Sequence, residues 1–60
     1  MKIKYTITID TDTPAGVEWS AHVEVDGRGL QDKSRARTLT AAERDAKASL
    51  KTMRGIMFGG

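Results

Sequence analysis

Residues 17–26, VEWSAHVEVD, alternate apolar and polar side chains without a break. Every odd-numbered residue from 17 to 25 is apolar, and every even-numbered residue from 18 to 26 is polar or charged. Because successive side chains of a strand point to opposite faces, this period of two predicts a half-buried β-strand with one apolar face.

The same alternation precedes this strand in residues 2–10, KIKYTITID, where isoleucines and one tyrosine occupy the odd-numbered positions. β-Branched residues are frequent there, which favours a second half-buried strand. Residues 11–16, TDTPAG, lie between the two segments and contain a proline and a glycine, so they predict a turn. The two strands are therefore expected to form an antiparallel hairpin with one apolar face.

A second turn is predicted where Asp26-Gly27 follows the strand, because an Asp-Gly pair tolerates the positive φ angles of a tight reversal. In residues 30–39 the cations Lys33, Arg35 and Arg37 alternate with small residues. This pattern predicts a third strand, at the edge of the sheet. Lysine and arginine on an edge strand also prevent edge-to-edge aggregation, so these charges need no ligand to explain them.

A helix of about fourteen residues is predicted to follow, because Thr40-Ala41-Ala42-Glu43 matches a capping box. In that motif the threonine hydroxyl accepts from the third helical amide, and the glutamate reaches back. Gly55 is expected to end the helix, with Ile56 folding back onto the last turn and residues 57–60 forming a short apolar tail. The side chains spaced to face the sheet are Ala42, Ala46, Ser49, Leu50 and Met53.

These elements predict one small α+β domain over residues 1–60, with an antiparallel β-β-(β) meander packed against one C-terminal helix. Sixty residues with 38% apolar side chains give only a thin core. One helix of about fourteen residues hardly covers three strands. We therefore expect a homodimer, formed through an exposed strand edge or through the uncovered apolar surface.

Composition argues against several classes of protein. The chain has no cysteine, so it has no disulfides or thiolate zinc sites, and we expect a reducing, cytoplasmic location. It contains no run of 18 apolar residues, and the charged start Met1-Lys2-Ile3-Lys4 leads directly into the first strand pattern. A membrane span and a signal peptide are therefore not expected.

Chemical motifs for catalysis or metal binding are weak. Ser20, His22 and Glu24 share one strand face, but side chains two residues apart stand parallel, about 6.5–7 Å apart, and do not converge as a catalytic triad must. Residues 10–13, DTDT, begin like a calcium loop, yet the fifth position is Pro14, so an Asx turn is the better interpretation. We predict no catalytic residue, no cofactor and no metal site.

Charge is divided unevenly along the chain, whose net charge is +2. Residues 1–30 hold three basic and five acidic side chains, whereas residues 31–60 hold seven basic and three acidic ones. A basic C-terminal half suggests an anionic partner, although such an excess is also common on ordinary solvated surfaces. The candidate binding residues are Lys33, Arg35 and Arg37 on the third strand and Arg44, Lys47 and Lys51 on the helix exterior.

Residues 5–10 (YTITID), 19–23 (WSAHV) and 38–48 (TLTAAERDAKA) together resemble the HicB-type antitoxin domain, over about residues 3–53. That family has a tyrosine-led first strand, a second strand with an aromatic and a small residue, and a capped, alanine-rich helix. Residues 25–29 (VDGRG) replace the family's Pro-Gly segment, and its separate DNA-binding domain is not matched. The resemblance implies a stand-alone interaction module that binds a protein partner and dimerises. The small size of the chain separately suggests a phage-encoded or bacterial toxin–antitoxin protein.

The expected function is therefore a non-catalytic protein-binding module, antitoxin-like or phage inhibitor-like. The alternative is nucleic-acid binding through the same six basic residues, since phosphate contacts require little more than such charges. Tyr5, Trp19 and Phe58 are not interleaved with these cations, so a stacking platform for single strands is missing. The dependence of affinity on salt would separate the two classes, because phosphate binding weakens steeply as salt rises.

Overall fold

The computed structural model describes residues 2–59, which form three strands followed by one helix. The strands are β1 (Ile3–Thr13), β2 (Gly16–Val25) and β3 (Arg28–Ala36), and the helix is α1 (Leu39–Met57). The sheet is antiparallel with the order β1-β2-β3, so β2 is central. The predicted α+β architecture is confirmed, and the third strand pairs with β2.

The turn between β2 and β3 has the geometry that Asp-Gly predicts. Asp26 and Gly27 both have positive φ angles, +49° and +87°, and they join Val25 to its cross-strand partner Arg28. Two positive φ angles at the central residues define a type I′ turn, whose twist matches that of the flanking strands. The backbone N–H of Asp26 also donates to the carbonyl of Lys2 (3.3 Å), which fixes the start of β1.

The turn between β1 and β2 is preceded by an irregularity in β1. The register shifts between Asp10 and Thr13, so that β1 has one more residue than β2 over this span. The backbone N–H of Asp12 donates to the Oδ1 atom of Asp10 (2.9 Å), which is the Asx turn expected from residues 10–13. Gly16 starts β2 with a φ angle of +113°, a conformation that glycine adopts without steric cost.

The core lies between β2 and α1. The alternation of β2 places its odd-numbered side chains toward the helix, and the helix presents residues spaced three and four apart, as predicted. Partly buried apolar side chains, among them Ile9, Leu30 and Leu50, surround this core. The buried apolar residues within residues 2–59 are Val17, Trp19, Ala21, Val23, Ala42, Ala46 and Met53.

The start of the helix differs from the prediction. Thr38, and not Thr40, is the N-cap, and its Oγ1 atom accepts a hydrogen bond from the backbone N–H of Ala41 (3.1 Å). The proposed Thr40–Glu43 capping box is therefore wrong. An N-cap residue needs extended backbone angles, and Thr38 has them (φ −134°, ψ 160°) because the chain has only just left β3.

The end of the helix also differs, because α1 continues through Gly55 to Met57 and has 19 residues. Phe58 is the C-cap, and its backbone N–H donates to the carbonyl of Arg54 (3.0 Å). Gly59, with a φ angle of +72°, supplies the left-handed conformation that was expected of Gly55. Met57 is helical and packs against the core, and Phe58 caps the helix, so these two residues do not form the predicted tail. Gly60 lies outside the described residues.

Replacing Gly55 by alanine is expected to stabilise the fold by about 1 kcal/mol, because alanine is the better helix former. A Cβ atom at position 55 meets nothing within 4 Å beyond its chain neighbours and the backbone of its own helix. The melting temperature should rise by about 4–8 °C, measured by circular dichroism. The matched control is Ala48→Gly, at an exposed helical position, which should lower stability by a similar amount. A fall in melting temperature for Gly55→Ala would show that residue 55 is not helical in solution.

Candidate protein-binding site

The helix covers only part of the sheet face on which it lies. A helix with its side chains is about 10–12 Å wide, whereas three strands spaced about 4.8 Å apart make a wider layer. Helix α1 packs mainly against β2, makes fewer contacts with β3, and makes the fewest with β1. The helix-facing side of β1 is therefore left largely uncovered.

The uncovered side of β1 carries a row of apolar side chains: Ile3, Tyr5 and Ile7, which we call the apolar row. Their exposed fractions are 41%, 47% and 36%, although the sequence predicted a buried face here. Tyr5 lies opposite the fully buried Val23 in the strand register, so the row belongs to the helix side of the sheet. Because the helix is displaced from β1, Ile9 is the residue of this alternation that packs against the core.

Three cations of the helix lie close to Tyr5 of the apolar row. Lys47, Lys51 and Arg54, which we call the cationic rim, are exposed and are spaced so that they share one side of α1. Together with Tyr5 and Leu50 they line a shallow pocket of about 210 Å³. This pocket thus combines an aromatic ring, an aliphatic side chain and three positive charges on one surface.

The six basic residues proposed from the sequence do not form one surface. Lys33 and Arg35 lie opposite Ser20 and Glu18 in the register, so they belong to the face of the sheet that points away from α1, here called the open face. Arg37 follows the end of β3. The other three are on α1, on the opposite side of the sheet: Arg44, Lys47 and Lys51.

The open face carries balanced charge. The side chains that alternate with the core positions include three cations and three anions: Lys4, Lys33, Arg35, Asp10, Glu18 and Glu24. The Nε atom of Arg35 lies 3.5 Å from Oε1 of Glu18, and these groups border a depression of about 480 Å³. The cations here are therefore partly neutralised by neighbours, and Arg44 on α1 is similarly close to Asp45 (3.4 Å).

Ser20, His22 and Glu24 also lie on the open face, as their alternation predicted. The imidazole of His22 rests over Gly29, since a Cβ atom at that glycine would approach Nε2 to 2.7 Å. Within residues 2–59 no hydrogen bond joins these three side chains to one another. Gly29 thus provides the space that the histidine ring occupies.

Metal binding and membrane crossing find no support in the part of the chain that the structure describes. No group of three or more histidine, aspartate or glutamate side chains there could hold a metal ion. Helix α1 does not combine the length and the apolar character that crossing a membrane requires. The apolar row, which meets the cationic rim at Tyr5, is a grouped apolar surface of the kind that calls for a functional explanation.

Comparisons of the chain with models of protein families, with curated proteins and with solved structures find no match. The resemblance to the HicB-type antitoxin domain thus stays an expectation from the sequence pattern. The sequence pattern indicates Lys47 and Lys51 but not the rest of this pocket. Tyr5 belongs to the apolar alternation of β1, Leu50 belongs to the helical stripe that does pack against the core, and Arg54 is not among the predicted binding residues. The width of one helix compared with three strands predicts that part of the sheet is uncovered, but it does not indicate which strand.

Proposed function

We propose that this chain is a non-catalytic module that binds a protein partner through the apolar row and the cationic rim. The observation that supports this proposal is the exposure of the apolar row, whose Tyr5 lines one pocket together with Lys47 and Lys51. Exposed apolar side chains that are grouped and rimmed by charged residues are typical of protein interaction surfaces. Scattered single apolar residues would not carry the same meaning.

The chemistry of this surface defines the partner. Tyr5 and Leu50 offer apolar contact area, and the aliphatic stems of Lys47 and Lys51 extend it while their ammonium groups stay in water. A complementary segment therefore carries apolar side chains flanked by aspartate or glutamate. The positive rim would increase the rate of encounter with such a segment and disfavour basic ones.

A protein partner is preferred to nucleic acid for two reasons. Phosphate groups would use the cations but leave the apolar row exposed, since a phosphate backbone has no apolar surface to cover it. The basic residues also lie on opposite faces of the sheet, and Arg35 on the open face is paired with Glu18. The capture experiment described below distinguishes nucleic-acid binding from protein binding by nuclease treatment.

Reversing the rim charges should abolish partner capture. The tagged chain is used to capture proteins from a lysate of its source cells, with nuclease present and absent, and the products are identified by mass spectrometry. We expect the wild type to retain one protein after nuclease treatment. The double variant Lys47→Glu, Lys51→Glu should recover at least about tenfold less of it, because like charges now face an acidic segment.

The matched control makes the same change of charge on the open face. Lys33→Glu, Arg35→Glu should retain the partner at the wild-type level, and circular dichroism should show both variants folded. Loss of the partner only in this control would place the site on the open face and contradict the proposal. A set of captured proteins that vanishes with nuclease would assign the chain to nucleic-acid binding instead.

A further inference from the structure

Strand β1 is an edge strand whose outer backbone groups have no partner strand in the described chain. The carbonyl of Lys2 accepts from Asp26 on the β2 side (3.3 Å). Because backbone groups of an antiparallel strand alternate between its two neighbours, the even-numbered residues of β1 bond to β2. The odd-numbered residues Ile3, Tyr5, Ile7 and Ile9 consequently direct their N–H and C=O groups to the free edge.

The two edges of the sheet differ in their protection. Strand β3 carries the charged residues Asp32, Lys33 and Arg35 in its middle, which is a common defence against edge pairing. The stretch from Tyr5 to Ile9 on β1 carries no charge and consists of tyrosine, threonine and isoleucine. An uncharged, β-prone stretch on an open edge is a surface on which another strand can pair.

The sequence of β1 is complementary to itself when two copies run antiparallel about Ile7. Each contact is of a type that stabilises neighbouring strands, namely opposite charges, hydroxyl pairs, and an aromatic beside a β-branched residue. In this arrangement the odd-numbered residues of the two β1 strands, whose backbone groups point to the free edge, form the hydrogen-bonded pairs. The contacts are Ile7 with Ile7, Tyr5 with Ile9, Thr6 with Thr8, and Lys4 with Asp10, the second member of each belonging to the second copy.

We propose that two copies of this chain associate through β1, antiparallel and centred on Ile7, to form one six-stranded sheet. The two-fold axis is perpendicular to the sheet, so both helices and both apolar rows lie on the same side. A shift of one residue would set apolar side chains opposite polar ones, which disfavours that register. This association does not depend on the partner-binding proposal, but it would give the two cationic rims a common groove.

A single introduced cysteine tests whether the two-fold axis passes through Ile7, because the chain has no cysteine of its own. Residues directly opposite in a hydrogen-bonded pair have Cα atoms about 5.5 Å apart, within the range that a disulfide bridges. Ile7→Cys should therefore form a disulfide-linked dimer on mild oxidation. Two variants serve as controls. In Thr6→Cys the two cysteines would be offset by two residues along the paired strands, and in Ser20→Cys they would lie on the two central strands. Both variants should stay monomeric on a non-reducing gel.

The register of the two β1 strands can also be tested by exchanging the charges of Lys4 and Asp10 in two separate variants. Lys4→Glu alone and Asp10→Lys alone each place like charges together twice in a homodimer, and each should weaken dimerisation by about tenfold. Mixing the two variants should restore the wild-type affinity as a heterodimer, measured by sedimentation equilibrium and native mass spectrometry. The control mixture of Lys33→Glu with Glu24→Lys, away from the edge, should show no preference for heterodimers.

The outcomes separate this proposal from partner binding. A wild-type chain that sediments as a monomer up to millimolar concentration would overturn the dimer, whatever is captured from lysate. A disulfide formed by Thr6→Cys but not Ile7→Cys would also overturn it, by moving the axis. Dimerisation with the expected cross-link and charge rescue, but without any captured protein, would support the dimer and count against the proposed function.

Discussion

Replacing Trp19 by alanine is expected to remove much or all of the protein's stability at 25 °C. Trp19 is only 6% exposed, and it sits on the central strand between Ile9 of β1 and Ser34 of β3. Removing a buried tryptophan side chain costs about 3–5 kcal/mol. A chain of this size has a total stability of about 3–9 kcal/mol, so this one change removes much or all of it.

The size of the effect depends on packing and not on a hydrogen bond. The Nε1 atom of Trp19 is buried and has no hydrogen-bond partner among residues 2–59. Trp19→Phe should therefore cost much less than Trp19→Ala, because it keeps an aromatic ring and removes a polar group that is unpaired. Urea denaturation followed by circular dichroism measures all three proteins. Equal losses for the two variants would mean that the ring does not fill the core as described.

Replacing Gly16 by alanine is expected to lower stability by about 2–3 kcal/mol, through the backbone alone. Gly16 has a φ angle of +113°, which is strained for any residue with a Cβ atom. A Cβ atom at this position would also lie 2.8 Å from the carbonyl oxygen of Ala36 on β3. That atom belongs to the backbone, so relief requires the ends of β2 and β3 to separate.

Gly27→Ala is the matched control for this prediction, measured by thermal and urea denaturation. Gly27 also has a positive φ angle (+87°), but a Cβ atom there meets nothing within 4 Å. It should therefore cost only the backbone strain, about 1 kcal/mol, and less than Gly16→Ala. Equal costs would show that contact with Ala36 contributes nothing. An unchanged Gly16→Ala would contradict the conformation of the first turn.

The strands and turns could be predicted from the sequence because they depend on local rules. The alternation in residues 2–10 and 17–26 specifies which side chains share a face whatever lies against them. Asp26-Gly27 specifies its own turn, since both residues tolerate positive φ angles. The helical stripe from Ala42 to Met53 was likewise correct, because spacings of three and four define one side of a helix.

The ends of the helix could not be predicted as securely, because several residues satisfy the same local rule. Thr38 and Thr40 are both suitable N-caps, and the end of β3 at Ala36 favours the first. Gly55 and Gly59 are both suitable ends, and the packing of Met57 against the core extends the helix to the second. Tertiary contacts therefore determine which of the locally equivalent residues begins and ends the helix.

The surface proposed for binding depends on a decision that only the tertiary structure makes. The amino-acid sequence alone specified three strands, two turns, a helix and the apolar face of each element, because these follow from neighbouring residues. It did not specify which strand the helix leaves uncovered. Helix α1 is too narrow to cover the sheet and settles on β2 and β3, which exposes Tyr5 beside Lys47 and Lys51 and separates them from Lys33 and Arg35.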